Sequence, residues 1–185
     1  MTQKADNLLR DATSSTEIEV ALKAGADINK MHDYKVPPSG VVRITKLMSC
    51  AERADESLDM IQTLLKHKAD VNIVDEAEWA PIHYACTREA IRALLGANAN
   101  INARTEDGST ALMLNCEFDL IDLVRVLIEC GADLSIKDNS GKSAIDYANS
   151  KEVVAILIQA GASIKQTNNQ MVRDYITEQA LKLYK

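Results

Sequence analysis

A five-residue string returns five times along this chain of 185 residues, and no other feature constrains the fold as strongly. Its copies are GADIN from Gly25, KADVN from Lys68, NANIN from Asn98, GADLS from Gly131 and GASIK from Gly161. Successive copies start 43, 30, 33 and 30 residues apart. Recurrence at this interval predicts a chain built from stacked copies of one supersecondary unit.

A second string lies between the copies of the first. It reads TKLMSCA from Thr45, APIHYAC from Ala80, TALMLNC from Thr110 and SAIDYAN from Ser143. The last three copies each begin 12 residues after a copy of the first string. Two strings locked at one spacing three times over indicate true repeats rather than chance similarity.

Each unit is predicted to hold two helices. The first begins at the second string, where a small residue five positions on, such as Ala85 or Ala148, allows close packing. The second is amphipathic, as in DLVRVLIE from Asp122, with apolar residues at i, i+3 and i+4. The pair that opens at Thr110 runs 21 residues to the next first-string position, whereas three other pairs run 18. We expect the missing three residues to fall in the turn between the helices.

These strings and this spacing resemble the ankyrin repeat family, whose repeat of about 33 residues forms a helix, a turn, a second helix and a finger loop. The resemblance implies an all-α ankyrin-repeat solenoid of stacked helix-turn-helix units with β-hairpin-type finger loops, about five helix pairs and a C-terminal capping helix. It covers nearly the whole chain, as a single domain over residues 1–185. The expected parts are an N-terminal repeat (1–29), a repeat with an enlarged finger (30–72), a short repeat (73–102), a full-length repeat (103–135), a short repeat (136–165) and a cap (166–185).

The charge balance argues against a nucleic-acid partner. The chain has 21 Lys and Arg against 27 Asp and Glu, a net charge of −6, and phosphate backbones bind basic surfaces. No stretch approaches the roughly 20 apolar residues of a membrane span, and the first residues lack the apolar core of a secretory signal. We therefore expect a cytoplasmic protein that binds no membrane, with delivery into a host cell left open.

Nothing in the sequence predicts an enzyme. The motifs GxGxxG, GxxxxGK[ST], HExxH and GxSxG are absent. His83 stands in PIH, where the family has TPLH, and the resemblance implies a ring that orders the turn by a hydrogen bond. Four cysteines without a CxxC pair are expected to be buried small hydrophobic residues. The sequence thus predicts no catalytic residue, no cofactor and no metal site.

By the same resemblance, partners dock at finger tips and on the exposed side of first helices, at positions that vary within the family. Carried onto this chain, these positions include Glu76, Trp79, Arg88, Glu106, Asp107, Phe118, Asn139 and Lys142. The only Trp and the only Phe of the chain fall among them, and such aromatic residues suit a binding hot spot. For Trp79, partner contact and packing against the enlarged finger stay equally open. For Phe118, packing into the turn between two helices is favoured.

The enlarged finger is the other candidate site. It carries eight extra residues and contains MHDYKVPPSGVVR. Met31, His32 and Tyr34 are the residues there that we expect to contact a partner, on a loop stiffened by two prolines. Long loops on rigid scaffolds often carry function, but surface loops also lengthen at small energetic cost. Both interpretations stay open.

The sequence therefore predicts a non-catalytic protein–protein interaction module, a monomer that binds a partner protein through the concave face of fingers and first helices. Acidic finger residues, Glu76, Glu78, Glu106 and Asp107, predict a basic patch on that partner. The alternative is an inhibitory or regulatory subunit, or a delivered effector, that acts through the insertion loop 30–44. Deletion of residues 31–39 is expected to remove that inhibition and leave thermal stability nearly intact.

Overall fold

The computed structural model describes residues 2–36, 40–53, 57–165 and 167–183, which belong to two compact units. Unit 1 spans Met1–Asn100 and unit 2 spans Ile101–Lys185. The elements of unit 1 are α1 (Thr2–Asp11), α2 (Ser15–Lys23), β1 (His32–Val36), β2 (Gly40–Ile44), α3 (Lys46–Ala51), α4 (Leu58–Lys66), α5 (Pro81–Tyr84) and α6 (Arg88–Gly96). Those of unit 2 are α7 (Ala111–Glu117), α8 (Ile121–Glu129), a 3₁₀ helix (Ala144–Tyr147), α9 (Lys151–Gln159) and α10 (Gln170–Leu183).

Within each unit, helices of successive pairs pack on their equivalents. In unit 1, α2 packs on α4 and α4 on α6, while α3 packs on α5. In unit 2, α7 packs on the 3₁₀ helix and α8 on α9, and α10 packs on α9 as the terminal helix. The described residues thus form five helix pairs followed by one further helix, which confirms the predicted helical architecture.

The helix starts and the core are encoded by the repeats. Helix N-caps are occupied by Ser or Thr side chains that accept a hydrogen bond from the backbone N–H three residues on, at Ser14, Thr45, Thr87, Thr110 and Ser150. Seven residues before each first string, the second helix places an aliphatic side chain that is fully buried: Ile18, Ile61, Ile91, Val124 and Val154. Each unit therefore has an apolar core along its row of second helices.

The small residues predicted for close helix packing are buried. Cys50, Ala85 and Ala148 have relative exposures of 1%, 4% and 2%. Asn115 takes the equivalent place in the full-length pair and is also buried, with its Nδ2 donating to the carbonyl oxygen of Ala111 at 2.7 Å. Its amide donor therefore has a partner inside its own helix.

The three residues missing from the short pairs are removed from the first helix, so the expectation that the turn is shortened was wrong. The connections 85–87, 118–120 and 148–150 have the same length, whereas α7 has seven residues and α5 has four. Three residues are close to one helical turn. Removing one turn keeps the buried face of the helix in register, which a change of turn length would not guarantee.

The enlarged finger forms an antiparallel hairpin from β1 and β2, in which His32 pairs with Ile44 and Tyr34 with Val42. Side chains alternate between faces. His32 and Ile44 face inward, with 7% and 1% exposure. Asp33 and Arg43 face outward and form an exposed ion pair at 3.4 Å. The predicted stiffening prolines, Pro37 and Pro38, lie outside the described residues.

The cysteines divide into two classes. Cys50 and Cys116 are buried, as predicted, and burial raises the pKa of the Cys116 thiol to about 12. Cys86 and Cys130 are exposed and take part in no disulfide, so the prediction of burial was wrong for these two. Cys86 lies in the connection that follows α5, and Cys130 is the C-cap of α8. Both are helix-end positions that the core does not cover.

Candidate protein-binding surfaces

The repeated aspartates of the first string shape the base of the fingers. Asp27, Asp70 and Asp133 each accept a hydrogen bond from the backbone N–H two residues on, at 3.0, 2.9 and 2.8 Å. Such a bond fixes a turn without any partner from outside. These carboxylates therefore serve the fold of the finger bases.

Asparagines of the first string connect one finger to the next within a unit. In each case Oδ1 accepts a hydrogen bond from the backbone N–H of a residue in the following finger. The pairs are Asn29 with Asp70 (2.8 Å) and Asn72 with Asn100 (2.9 Å) in unit 1, and Asn102 with Asp133 (2.9 Å) in unit 2. Hydrogen bonds within the protein therefore fix the position of each of these fingers against the next one in the same unit.

A Tyr–Asp pair in each unit ties a finger tip to the first helix that follows it. The Tyr84 hydroxyl donates to Oδ2 of Asp75 at 2.5 Å, and the Tyr147 hydroxyl donates to Oδ2 of Asp138. Burial, with the bond to Asp75, raises the pKa of Tyr84, and the bond to Asp138 raises the pKa of Tyr147 to about 12. Both tyrosines are therefore neutral donors at physiological pH.

Trp79 and Lys142 occupy the same repeat position, and each covers the tyrosine of its own unit. The indole of Trp79 lies 5.4 Å from the Tyr84 ring and 5.9 Å from the His83 ring, between centroids. Nζ of Lys142 lies 5.2 Å from the centroid of the Tyr147 ring, a cation–π contact. The ring contacts of half-buried Trp79 are with α5, whereas the packing interpretation left open by the sequence placed it against the enlarged finger.

His83 performs the structural role that the resemblance implied. Its Nδ1 accepts a hydrogen bond from the backbone N–H of Ala80 at 3.0 Å, which closes the first turn of α5. The residue is 8% exposed. The ring therefore serves the fold of unit 1 at this position.

In unit 2, two adjacent fingers are bound to each other at their tips. Oδ1 of Asp107 accepts from Thr105 Oγ1 at 2.5 Å and from the Ser109 backbone at 3.0 Å. Asn139 donates its backbone N–H to the Asp107 carbonyl and its Nδ2 to the Glu106 carbonyl, both at 2.9 Å. The hydrogen bond from Thr105 lowers the pKa of Asp107. Asp107 and Asn139 are exposed, yet much of their polar capacity is used inside unit 2.

The charged finger residues lie at the surface. Glu76 is 75% exposed and forms a 3.7 Å ion pair with Arg43 of the hairpin, itself 57% exposed. Such an exposed pair contributes little to stability. Arg88 and Glu106 are exposed as well. These side chains can change partners without loss to the fold.

The enlarged finger does not offer all three of its predicted contact residues. His32 is buried, its Nε2 has no hydrogen-bond partner among the described residues, and burial lowers its pKa. Tyr34 is half-buried and donates its hydroxyl to the Arg10 carbonyl at 3.4 Å. Met31 is half-buried. Because His32 and Tyr34 pack within unit 1, deletion of residues 31–39 is now expected to lower its stability, contrary to the expectation from the sequence.

Phe118 is not packed into the turn between the helices of its pair, so the packing interpretation was wrong. It is the C-cap residue of α7 and is 67% exposed. Leu120, two residues on, is 44% exposed. The reason is the extra turn of α7, which carries this connection past the buried position held by Asn115.

Side chains that belong to the following repeat cap the carbonyl ends of first helices, and the sequence analysis did not predict them. Lys46 donates from Nζ to the carbonyls of Arg10 and Ala12 at the end of α1, at 3.0 and 2.6 Å. Asn149 donates to the Glu117 carbonyl at the end of α7, at 2.5 Å. Helix ends leave carbonyls without intrahelical partners. Lys46 follows a helix-opening Thr, but its sequence position alone does not reveal the carbonyls that it reaches.

This architecture matches that of a known protein family. A family model described as ankyrin repeats (3 copies) matches residues 12–105, 47–138 and 87–168. The chain belongs to the ankyrin repeat family. Its fold is accordingly the ankyrin-repeat solenoid, and ankyrin repeats are protein–protein interaction modules.

Curated relatives share the repeats over part of their length. The chain is similar to neurogenic locus notch homolog protein 1 of Danio rerio, with 33% identity over 119 residues, and to neurogenic locus notch homolog protein 2 of Homo sapiens, with 32% over 119 residues. Each match covers 60% of this chain and 5% of the relative. The chain thus corresponds to a small part of these relatives.

Among the described residues, no helix combines the length and apolar character required to cross a membrane. Over those same residues, no group of three or more His, Cys, Asp or Glu side chains is arranged to hold a metal ion.

Proposed function

We propose that this protein binds a partner protein through exposed finger and first-helix positions, without covalent chemistry. In unit 1 the contact positions are Glu76, Trp79 and Arg88, and in unit 2 they are Glu106, Asp107, Asn139 and Lys142. Binding to a protein is the activity that ankyrin repeats in general support. The finer assignment of residues depends on the arrangement within each unit.

Trp79 is the observation that carries the proposal. It is the only Trp of the chain, half-buried, and oriented by contacts to two rings of α5. An aromatic side chain that is already ordered loses little conformational entropy when a partner covers it. Its exposed neighbour Glu76 adds charge next to an apolar anchor, the usual composition of a hot spot with a polar rim.

The partner is proposed to present Lys and Arg side chains to the fingers. Glu76, Glu78 and Glu106 are exposed, and the whole chain has a net charge of −6. Opposite charges of this kind raise the association rate more than the final affinity. Raising the salt concentration should therefore slow association, since exposed charges are screened over about 8–10 Å.

The test is capture from native lysate on immobilised protein. Wild type is compared with Trp79→Ala, with Glu76→Lys, and with Trp79→Phe as the matched control that keeps an aromatic ring on Tyr84. A protein retained by wild type and Trp79→Phe but lost by Trp79→Ala and Glu76→Lys supports the proposal. If wild type and the three variants retain the same protein equally, Trp79 and Glu76 do not belong to the binding surface. Melting curves exclude variants that unfold.

We further propose that the binding takes place in the cytoplasm and that the protein acts there as a monomer. Cys86 and Cys130 are exposed and take part in no disulfide, which fits a reducing compartment, where disulfides rarely persist. Light scattering on the purified chain tests the monomer. A mass of twice 20.3 kDa would contradict it.

The inhibitory alternative would use the outward face of the hairpin. Val41 on β2 is 58% exposed and Arg43 is 57% exposed, so this face is accessible. Val41→Lys and Arg43→Glu change the face and leave the inward His32 and Tyr34 in place. Inhibition that persists in both variants would exclude the hairpin as the inhibitory element.

A further inference from the structure

His32, at the start of β1, is a buried side chain whose hydrogen-bonding capacity is not satisfied. It is 7% exposed, and its Nε2 has no hydrogen-bond partner among the described residues. A buried neutral ring with one such nitrogen is tolerated. Protonation would place an N–H on both ring nitrogens and add a charge, so the buried Nε2 would then need an acceptor. The position of the ring in the fold therefore suits only its neutral form.

The charged groups that interact with this ring offer no compensation for a proton. They lie on α1, on the turn before β1 and on α3, and they are Asp6, Arg10 and Asp11, then Lys30, then Lys46. Both carboxylates of this set are already paired, Asp6 with Lys30 at 2.5 Å and Asp11 with Arg10 at 2.7 Å. The remaining cation, Lys46, is 3% exposed. A protonated ring would therefore be one more buried positive charge without a carboxylate of its own.

The hairpin of β1 and β2 is anchored at both ends by contacts that do not involve His32. The chain enters β1 two residues after Lys30, whose Nζ donates to buried Asp6 at 2.5 Å. It leaves β2 at Thr45, the buried N-cap of α3, whose Oγ1 accepts from the Met48 backbone at 3.3 Å. The two strands between these anchors can therefore move as one flap.

The end of α1, which the hairpin contacts, does not depend on the hairpin for its capping. Tyr34 donates its hydroxyl to the Arg10 carbonyl at 3.4 Å, and burial raises the pKa of Tyr34, so it is a neutral donor. Lys46 of α3 donates to the same carbonyl at 3.0 Å and to that of Ala12 at 2.6 Å. If Tyr34 leaves, both carbonyls keep a donor. Release of the hairpin is therefore compatible with an intact α1.

We propose that the hairpin of β1 and β2 is a pH-sensitive flap, seated on unit 1 while His32 is neutral, whose released state gains population in mild acid because only there can the ring take up a proton. Release carries Arg43 away from Glu76, with which it forms a 3.7 Å ion pair when seated. It also exposes the inward side chains of the hairpin to water. The release requires no partner, so its test is independent of the proposed function.

The experiment is hydrogen exchange measured by mass spectrometry on the full chain, at pH 7.5 and pH 5.5 and at several urea concentrations below the unfolding transition. Observed rates are divided into the intrinsic rates at each pH to give protection factors for peptides of the hairpin and of α4. His32→Gln removes the titrating ring. His67→Gln is the matched control, because His67 is an exposed histidine of the same unit. Lys30→Gln removes an opposing cation and keeps a donor for Asp6.

In wild type the protection of the hairpin is expected to fall by about five- to tenfold between pH 7.5 and pH 5.5, because a solvated imidazole titrates near pH 6.5. This protection should be lower than that of α4 and insensitive to low urea, as for a local opening. The pH response should persist in His67→Gln, vanish in His32→Gln and shrink in Lys30→Gln, where protonation of the seated ring is opposed less.

Two results would overturn the flap. One is a pH response of the hairpin that persists in His32→Gln. The other is hairpin protection that falls with urea as steeply as that of α4, since the hairpin would then open only when the whole unit unfolds. If the hairpin of His32→Gln has little protection at either pH, Lys30→Gln decides, and a response equal to that of wild type overturns the proposal. The finger-binding proposal stands in each of these cases.

Discussion

The two units close the ends of their first helices with side chains of different chemistry. In unit 1 the end of α1 is closed by Lys46, a cation that is only 3% exposed. In unit 2 the ends of α7 and the 3₁₀ helix are closed by the neutral amides of Asn149 and Asn169. Burial lowers the pKa of Lys46, since a charged ammonium is disfavoured away from water. Capping a helix end therefore requires the burial of a charged group in unit 1, whereas the amides of unit 2 are neutral.

The two units also differ in the backbone strain of their finger turns and helix-end turns. Unit 1 places Lys68, Glu78 and Asn98 at positive φ, where L side chains are strained, whereas Asp119 is the corresponding non-glycine among the described residues of unit 2. Left-handed backbone costs about 1 kcal/mol for a residue with a Cβ. We expect unit 1 to be the less stable of the two. Trp79, the only Trp, lies in unit 1, so its fluorescence follows the unfolding of its surroundings there.

Replacing Lys46 by Met is expected to give the largest loss of stability. The substitution keeps an aliphatic chain but removes the donors to the Arg10 and Ala12 carbonyls. The buried Ala12 carbonyl loses its bond from Lys46, and the Arg10 carbonyl keeps only the 3.4 Å bond from Tyr34. Loss of these two hydrogen bonds to a charged donor is expected to cost about 2–4 kcal/mol. Urea unfolding followed by Trp79 fluorescence measures the effect on unit 1.

Asn149→Ala is the matched substitution in unit 2. It removes one hydrogen bond from an exposed amide, so we expect a loss of about 1 kcal/mol by circular dichroism. The Trp79 transition should not move. If Lys46→Met is no more harmful than Asn149→Ala, the contrast between a buried cation and an exposed amide is wrong.

Gly108→Ala is expected to cost about 2–3 kcal/mol, in unit 2. The residue has φ of +84°, and a Cβ would clash with Nη2 of Arg104 and lie 2.7 Å from Oδ1 and 3.0 Å from the backbone N of Asn139. Both backbone strain and a clash with the next finger contribute. Gly141→Ala is the control, because φ is +82° there and the space is open. Gly141→Ala should cost only the backbone strain, about 1 kcal/mol. Equal losses of stability in the two variants would show that Arg104 and Asn139 move away from the new Cβ without energetic cost.

Much of the fold followed from the repeats, because repeated residues perform local tasks. Aspartates that accept from the second residue on, and His83 at the first turn of α5, act within a few residues of their own position. Their spacing in the sequence is therefore sufficient to assign them. The helix pairs followed for the same reason, from Ser and Thr caps and apolar periodicity.

What escaped prediction depends on contacts between repeats or on the length of one helix. Lys46 and Asn149 reach carbonyls 34 and 32 residues away, which no local pattern specifies. Phe118 is exposed because the longer pair has its additional residues in α7 and not in the turn, which the spacing of the strings does not specify. The Tyr–Asp pairs did leave a signal. Asp and Tyr stand nine residues apart in two repeats, while the intervening repeat has Thr105 and Leu114 at the same positions and lacks both members.

Mild acid is expected to weaken unit 1 through His32. Burial lowers the pKa of His32 below its ordinary value of 6.5. The neighbouring charges that affect its protonation are Asp6, which favours it, and Arg10, Lys30 and Lys46, which oppose it. The unfolded chain therefore binds the proton first. The stability contributed by neutral His32 is fully present above about pH 6.5 and is lost as the pH falls toward the folded value.

Urea midpoints from Trp79 fluorescence at pH 7.5 and pH 5.5 measure this dependence. His67 and His83 also belong to unit 1, so the effect of His32 is the difference between wild type and His32→Gln. The variant should show the smaller drop in midpoint between the two pH values. If the urea midpoint falls equally in wild type and in His32→Gln, other groups cause the acid sensitivity of unit 1, and His32 does not contribute to the difference between the units.

Lys68→Gly is expected to stabilise unit 1, by about 0.5–1 kcal/mol. Lys68 follows the end of α4 with φ of +64°, and at the equivalent position unit 2 has Gly131. Glycine adopts this conformation without strain, although it also gains freedom in the unfolded chain, so the net gain is small. The Trp79 transition should move to higher urea. A lower midpoint would mean that the Lys68 side chain stabilises unit 1 by more than its backbone strain costs, and that the left-handed residues do not explain a difference between the units.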